Sequence, residues 1–188
     1  MTETNTPQTF IPKHGGYRNL LSYKRAEVIY DGTVYFTNRF FRKFDRTVDQ
    51  MVQAARSGKQ NIVEGCMASA TSKETEIKLM NVAKASLEEL KIDYEDFLRT
   101  KKLQIWNIEH PFVTRFREIN NNPNANYQTF EKAIEHENPE ICANVMICLI
   151  NITTYLLARQ IKSLERDFLK NGGLRERMSK VRNESRKK

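Results

Sequence analysis

Glycine and proline are scarce in this chain. Seven glycines and five prolines in 188 residues leave few breakers, which disfavours many short strands and favours long helices. Cysteine is scarcer still. Cys66, Cys142 and Cys148 are an odd set without paired spacing, which argues against a disulfide framework. Histidine is limited to His14, His110 and His136, preceded at three positions by Ile11, Asn107 and Ala133. A di-iron bundle needs glutamate at those positions, so that chemistry is excluded. No Cys-x-x-Cys, glycine-rich phosphate loop or Gly-x-Ser-x-Gly is present. Glu135, His136 and Glu137 are contiguous, and adjacent residues on a helix point in different directions, so they do not form a ligand set. The longest apolar run, Val145–Ala158, is interrupted by Asn151, Thr153 and Thr154 and is shorter than the roughly 20 residues that span a bilayer. The opening MTETNTPQTF lacks the basic segment of a secretory signal. These features predict a cytoplasmic, non-enzymatic protein with no metal, no cofactor and no membrane partner.

What remains is strong helical patterning. The length suffices for one domain with a sizeable core. Residues 1–16 read as a flexible arm that packs at most through Phe10 and Ile11, with Pro12 and Gly15-Gly16 as breakers. Tyr17–Phe44 reads as a first helix, with a kink expected at Asp31-Gly32. A second helix starts at the N-cap Asp45 and ends at Glu64-Gly65, where Gly65 is expected as the left-handed stop. Ser72 caps the third helix. Its positions Ile77, Met80, Ala83, Leu87, Leu90, Tyr94 and Leu98 recur at three and four residues and form a bundle seam. An insertion at about 101–138 holds two short helices, Phe112–Ile119 and Tyr127–His136. Asn138 and Pro139 open the last long helix, which Asn171-Gly172-Gly173 ends. Its first half is apolar nearly all round, and the surplus points to a subunit interface. Cys142 and Cys148 in this run read as core thiols. The resulting expectation is an all-α, antiparallel up-down-up-down four-helix bundle over 17–171, with extra short helices between the third and fourth long ones.

Charge is unevenly spread. The net is +8, and residues 172–188 contribute +5 of it. The third helix balances its signs and is a poor phosphate surface. Candidate phosphate contacts are Arg39, Arg42, Lys43 and Arg46 near the first corner, and Arg175, Arg177, Lys180, Arg182 and Arg186 in the extension. They would bind backbone with little base specificity. The stretch TNRFFRKF also interleaves bases with aromatics, as nucleic-acid surfaces do, although an ordinary amphipathic helix has the same look. A protein-interaction scaffold without a nucleic-acid role is the competing reading. Asn61 and Glu64 lie three apart on one face and read as hydrogen-bonding groups for neighbouring helix ends.

The segment from Leu20 to Leu98 resembles a known family. It contains Ala54-Ala55, then Ser57, Asn61, Ile62, Glu64 and Gly65, then Lys73-Glu74 and Ala85-Ser86-Leu87-x-Glu89-Leu90. In order and spacing this is similar to the small four-helix-bundle proteins encoded in intervening sequences of bacterial large-subunit ribosomal RNA genes. The stretch Gly172–Met178 resembles the extension of a longer subgroup, the four-helix-bundle suffix proteins. Gly58-Lys59 departs from the family's apolar-Pro step, and the 101–138 insertion exceeds its usual connection. The resemblance implies a bundle assembled as a homo-pentamer. It also implies kinship with the accessory subunit of diversity-generating retroelements, which engages a reverse transcriptase and RNA.

If the extension contacts phosphate, deleting Leu174–Lys188 should lower affinity for a labelled RNA and flatten the dependence of binding on salt. Unchanged affinity and slope would remove the extension from the interface.

Overall fold

The computed structural model describes residues 16–120 and 122–186. The expected N-terminal arm lies outside them except for Gly16. The described residues form seven α-helices and contain no strand. A 3₁₀ turn, Tyr17–Asn19, leads into α1 (Leu21–Phe40), followed by α2 (Arg46–Ala68) and α3 (Lys73–Thr100). Two short helices come next, α4 (Pro111–Asn120) and α5 (Tyr127–Ile134), then α6 (Pro139–Asn171) and α7 (Leu174–Ser185).

The helix starts obey local chemistry. Asp45 Oδ1 accepts from Thr47 N at 3.0 Å, Ser72 Oγ from Thr75 N at 3.1 Å, and Asn138 Oδ1 from Glu140 N at 2.9 Å. Each of these satisfies an amide that the first helical turn leaves unpaired. Gly172, at φ 67°, closes α6 through its N–H to Phe168 O.

Two glycines act differently from the sequence reading. Gly32 produces no break; it is buried inside α1. A Cβ there would lie 2.8 Å from Met146 Sδ, so the missing side chain admits α6. Gly65 does not stop α2, which runs on to Ala68. It is buried, and its Cβ would sit 3.2 Å from Met80 Cε. Gly58, one heptad earlier, would place a Cβ 2.7 Å from Leu87 Cδ2. Close approach of α3 therefore explains both α2 glycines, where the sequence offered a C-cap reading for one. The first helix is also shorter at both ends than expected, starting at Leu21 after the 3₁₀ turn and ending at Phe40.

Each of the four long helices packs on two of the others: α1 on α2 and α6, α3 on α2 and α6. Pairs along them fix the register. Ser22 Oγ donates to Gln160 Oε1 at 3.0 Å, Ser57 Oγ meets Ser86 Oγ at 2.9 Å, and Lys73 Nζ lies 3.7 Å from Asp167. At one end of the core Phe36, Tyr94 and Phe97 cluster, with Phe36 4.9 Å from each of the other rings. The fully buried Tyr94 hydroxyl donates to Thr33 Oγ1 at 3.0 Å, which joins α1 to α3 across the core.

The surplus apolar surface of α6 is covered within the chain. Cys142–Ile150 are all buried, and α4 and α5 lie on α6 beside α1 and α3. That corrects the inference from surplus to subunit interface, because the insertion is the missing cover. By length and composition α6 also qualifies to cross a membrane, yet 67% of its most apolar window is buried inside the protein.

The insertion is held by Arg25. Its guanidinium is fully buried and donates to the backbone oxygens of Asn120 (3.0 Å), Asn122 (2.8 Å) and Ala125. It also lies over the Phe130 ring, 5.6 Å from the centroid. No carboxylate pairs with it among the described residues, and burial lowers its pKa from the ordinary arginine value.

Two substitutions test this packing. Arg25→Met keeps the stem and orphans buried carbonyls, so urea unfolding should show a loss of about 2–3 kcal/mol. A loss below about 1 kcal/mol would mean the clamp is dispensable. Gly58→Ala gains about 1 kcal/mol of helix propensity and incurs about 1–3 kcal/mol of overpacking. The expected net is a destabilisation of about 1 kcal/mol, and a stabilised variant would refute tight α2–α3 contact there.

Candidate nucleic-acid interface

The α1–α2 corner comprises residues 41–45. The Phe41 N–H still bonds to Thr37 O, after which the backbone turns and the Asp45 N–H bonds to Arg42 O. Between them Phe44 adopts φ 73°. A positive φ is an outlier for a bulky residue, because Cβ crowds the following carbonyl. Its ring is nevertheless 93% exposed, so core burial does not stabilise the strained conformation. Lys43 Nζ lies 5.6 Å from the ring centroid.

Arg39, Arg42, Lys43 and Arg46 are all exposed at this end of α1 and start of α2, Arg42 and Lys43 line the same cleft as Phe44, and none of the four forms an ion pair among the described residues. Arg46 is the first residue of α2, at the positive end of the helix dipole, where a cation is disfavoured. Asp45 and Asp49 offset part of this charge. Asp45 is committed to the helix cap.

The same end of the protein holds a second backbone outlier. Lys102, at φ 58°, follows the C-terminus of α3, where the Leu103 N–H bonds back to Leu98 O. Glycine usually fills that left-handed position. Phe44 and Lys102 are the two non-glycine residues with positive φ among those described. Phe41 joins their neighbourhoods, 5.4 Å from Phe97 near the end of α3. An open cleft of about 560 Å³ lies between the corner and α3 and is lined by Arg42 and Lys101 among others. A neighbouring cleft of about 570 Å³ is lined by Lys43 and Phe44.

The basic extension is helical, and α7 has no substantial packing partner among the described residues. Arg175, Arg182 and Arg186 are exposed, Arg177 is half-buried, and the Lys180 side chain is outside the described set. The Lys73–Asp167 pair sets the end of α6, and so the root of α7, beside the start of α3. The corner lies beside the end of α3. Twenty-eight helical residues, roughly 42 Å, therefore separate the two basic sets, and the fold does not bring them together.

Ser57, Asn61 and Gly65 serve the α2–α3 contact instead, and the expected bonds of Asn61 and Glu64 to neighbouring helix ends are not made among the described residues. Asn61 Nδ2 donates to Ser57 O at 2.9 Å and to Ser57 Oγ at 3.1 Å, while Ser57 meets Ser86. Glu64 points to solvent. Burial pushes the Cys66, Cys142 and Cys148 thiols up to about 11, so all three are protonated near neutrality and poorly nucleophilic. No group of three or more His, Cys, Asp or Glu able to hold a metal occurs among the described residues.

Sequence reading singled out the stretch that ends at Phe44 but not the exposure of that ring, and it did not single out Lys101 or Lys102. Backbone strain at Phe44 and Lys102 has no sequence signature. The run of bases Arg99, Lys101 and Lys102 was visible but hidden in the neutral total of the third helix. No family model matches the chain, nor does any curated protein or solved structure.

Reversing Arg46 separates stability from binding. Arg46→Glu should raise the stability of α2 by about 0.5 kcal/mol in thermal melts and weaken binding of a labelled oligonucleotide at low salt. Lower stability would show that Arg46 supports the fold.

Proposed function

We propose that this is a non-enzymatic helical protein that binds the backbone of single-stranded nucleic acid at the α1–α2 corner. One observation carries the reading: Phe44 is held strained and 93% exposed, with Lys43 Nζ 5.6 Å from its ring and Arg42 lining the same cleft. Such a ring is a stacking platform for a base, and the arginines and lysine of the corner are counterions for phosphates. Flat aromatic stacking tolerates any base, so this contact gives affinity without sequence preference. Lys102 and Lys101 extend the cationic surface toward α3. The α7 cations form a second, independent phosphate contact at the far end.

The scaffold in this reading is an antiparallel up-down-up-down four-helix bundle made of α1, α2, α3 and α6. The cyclic packing order and the Ser22–Gln160, Ser57–Ser86 and Lys73–Asp167 pairs support it. The resemblance to intervening-sequence bundle proteins adds an accessory role beside a reverse transcriptase or other ribonucleoprotein, and assembly as a pentamer. Val82, Ile92 and Tyr155, exposed at 47%, 55% and 61%, support association of copies. A cytoplasmic location belongs to the same reading and is supported by three buried, unbridged cysteines. A protein-docking scaffold is the second reading. It is favoured by Ile105, Ile108 and Phe112, which are exposed at 45%, 66% and 47% on the insertion.

Phe44→Gly tests the central contact. Glycine relieves about 1 kcal/mol of backbone strain, so the variant should melt no lower than the parent. Loss of one stacked base, worth about 1–3 kcal/mol, should weaken binding of a single-stranded oligonucleotide by about ten-fold. Equal affinity would remove Phe44 from the interface, and no binding by the parent at low salt would leave the scaffold reading. Light scattering should give a mass near five chains, and a monomer would overturn the assembly but not the site.

A further inference from the structure

The cleft between the corner and α3 has features that backbone binding does not explain. It is open, about 560 Å³ in volume, and lined by Phe40, Phe41 and Phe97. That volume lies within the usual range of small-ligand pockets, roughly 300–1,000 Å³. Asp93 and Asp96, one helical turn apart on α3, also line it, together with Arg42 and Lys101. Asp96 Oδ1 is engaged by Arg99 at 2.6 Å. Asp45 is engaged by the amide of Thr47. Asp93 is half-buried and has no hydrogen-bond or ion-pair partner among the described residues. Burial raises its carboxyl above the usual range, and Glu89 and Asp96 raise it further. A half-buried carboxylate without donors is stabilised by any ligand that brings N–H groups.

Resting on the nucleic-acid reading above, we infer that this cleft takes a guanine base, stacked against the phenylalanines with its N1–H and N2–H donating to the Asp93 carboxylate. The base identity follows from donor geometry. A carboxylate offers two parallel acceptors. Guanine alone among the common bases presents two adjacent N–H donors on its Watson–Crick edge. Adenine and cytosine place a ring-nitrogen acceptor beside the amine, and uracil flanks one N–H with two carbonyls. Each of those arrangements sets lone pairs against the carboxylate. Arg42 and Lys101, which offset the Asp45, Asp93 and Asp96 carboxylates of the lining, match the phosphate of a nucleotide, a contact that an arginine side chain would leave unused. The corner thus supplies non-specific affinity, and the adjoining cleft supplies a preference for one base.

The test uses the full chain and short labelled oligouridine strands with one central guanosine, inosine, adenosine or cytidine. The guanosine strand should bind about ten-fold more tightly than the inosine strand, which lacks only the N2 amine; this is within the 1–3 kcal/mol expected of a bidentate base contact. Asp93→Asn should abolish that preference while leaving oligouridine binding and the melting temperature within error of the parent, or the melting temperature raised. Guanosine monophosphate competing as well as the strand would assign the same site to a free nucleotide. Equal affinity of the parent for all four strands overturns the inference and leaves backbone binding intact. Failure of every strand to bind at low salt overturns both. An arginine-rich peptide that displaces the guanosine strand and depends on Asp93 would overturn the assignment to a base.

Discussion

Arg25 places a permanent charge inside the protein where no carboxylate meets it among the described residues. A buried guanidinium without donors' partners is strongly unfavourable. The carbonyls of Asn120, Asn122 and Ala125 offset that cost by accepting from the guanidinium. These contacts hold the end of α4 and the approach to α5, and both helices lie on α6. With that cover in place the run Cys142–Ile150 is buried on all sides and becomes the centre of the core. One cation on α1 thereby settles how the most apolar helix is shielded.

The two ends of the molecule follow different rules. Around Arg25 the guanidinium's terminal nitrogens are paired, its Nε and Asn120 Oδ1 have no partner among the described residues, and along the α2–α3 contact glycines sit where the helices approach closely. Around Phe44 and Lys102 the local rules are broken: two strained residues, a cation at the wrong end of a helix dipole, and an exposed ring. Conflicts of this kind concentrate where a surface serves something other than folding. The unsatisfied Asp93 lies in the cleft next to them.

Much of the architecture was readable in advance. The caps at Asp45, Ser72 and Asn138, the seam from Met80 to Leu98, and the stop at Gly172 all follow from side-chain chemistry acting over a few residues. Gly32 and Gly65 were misread because glycine serves both turns and tight packing, and sequence spacing does not distinguish them. The surplus apolar face of α6 was misattributed because covering it depends on a contact across almost a hundred residues. In the candidate site the arginines and lysine of the corner were legible as charge. The exposed ring beside Arg42 and Lys43, and the separation of the corner from the α7 cations, were not.

By itself the sequence determined the helical class, the starts of α2, α3 and α6 and the inward face of α3, because capping and periodicity act within a few turns. It also determined the sign of the charge at the corner and in the extension. Tertiary structure decided which glycines admit neighbouring helices, which segment covers α6, and which cations share a surface. Those outcomes depend on distances between residues far apart in the chain. Tertiary structure also decided the exposure and strain of Phe44, since a backbone turn between two packed helices leaves that residue no core to enter.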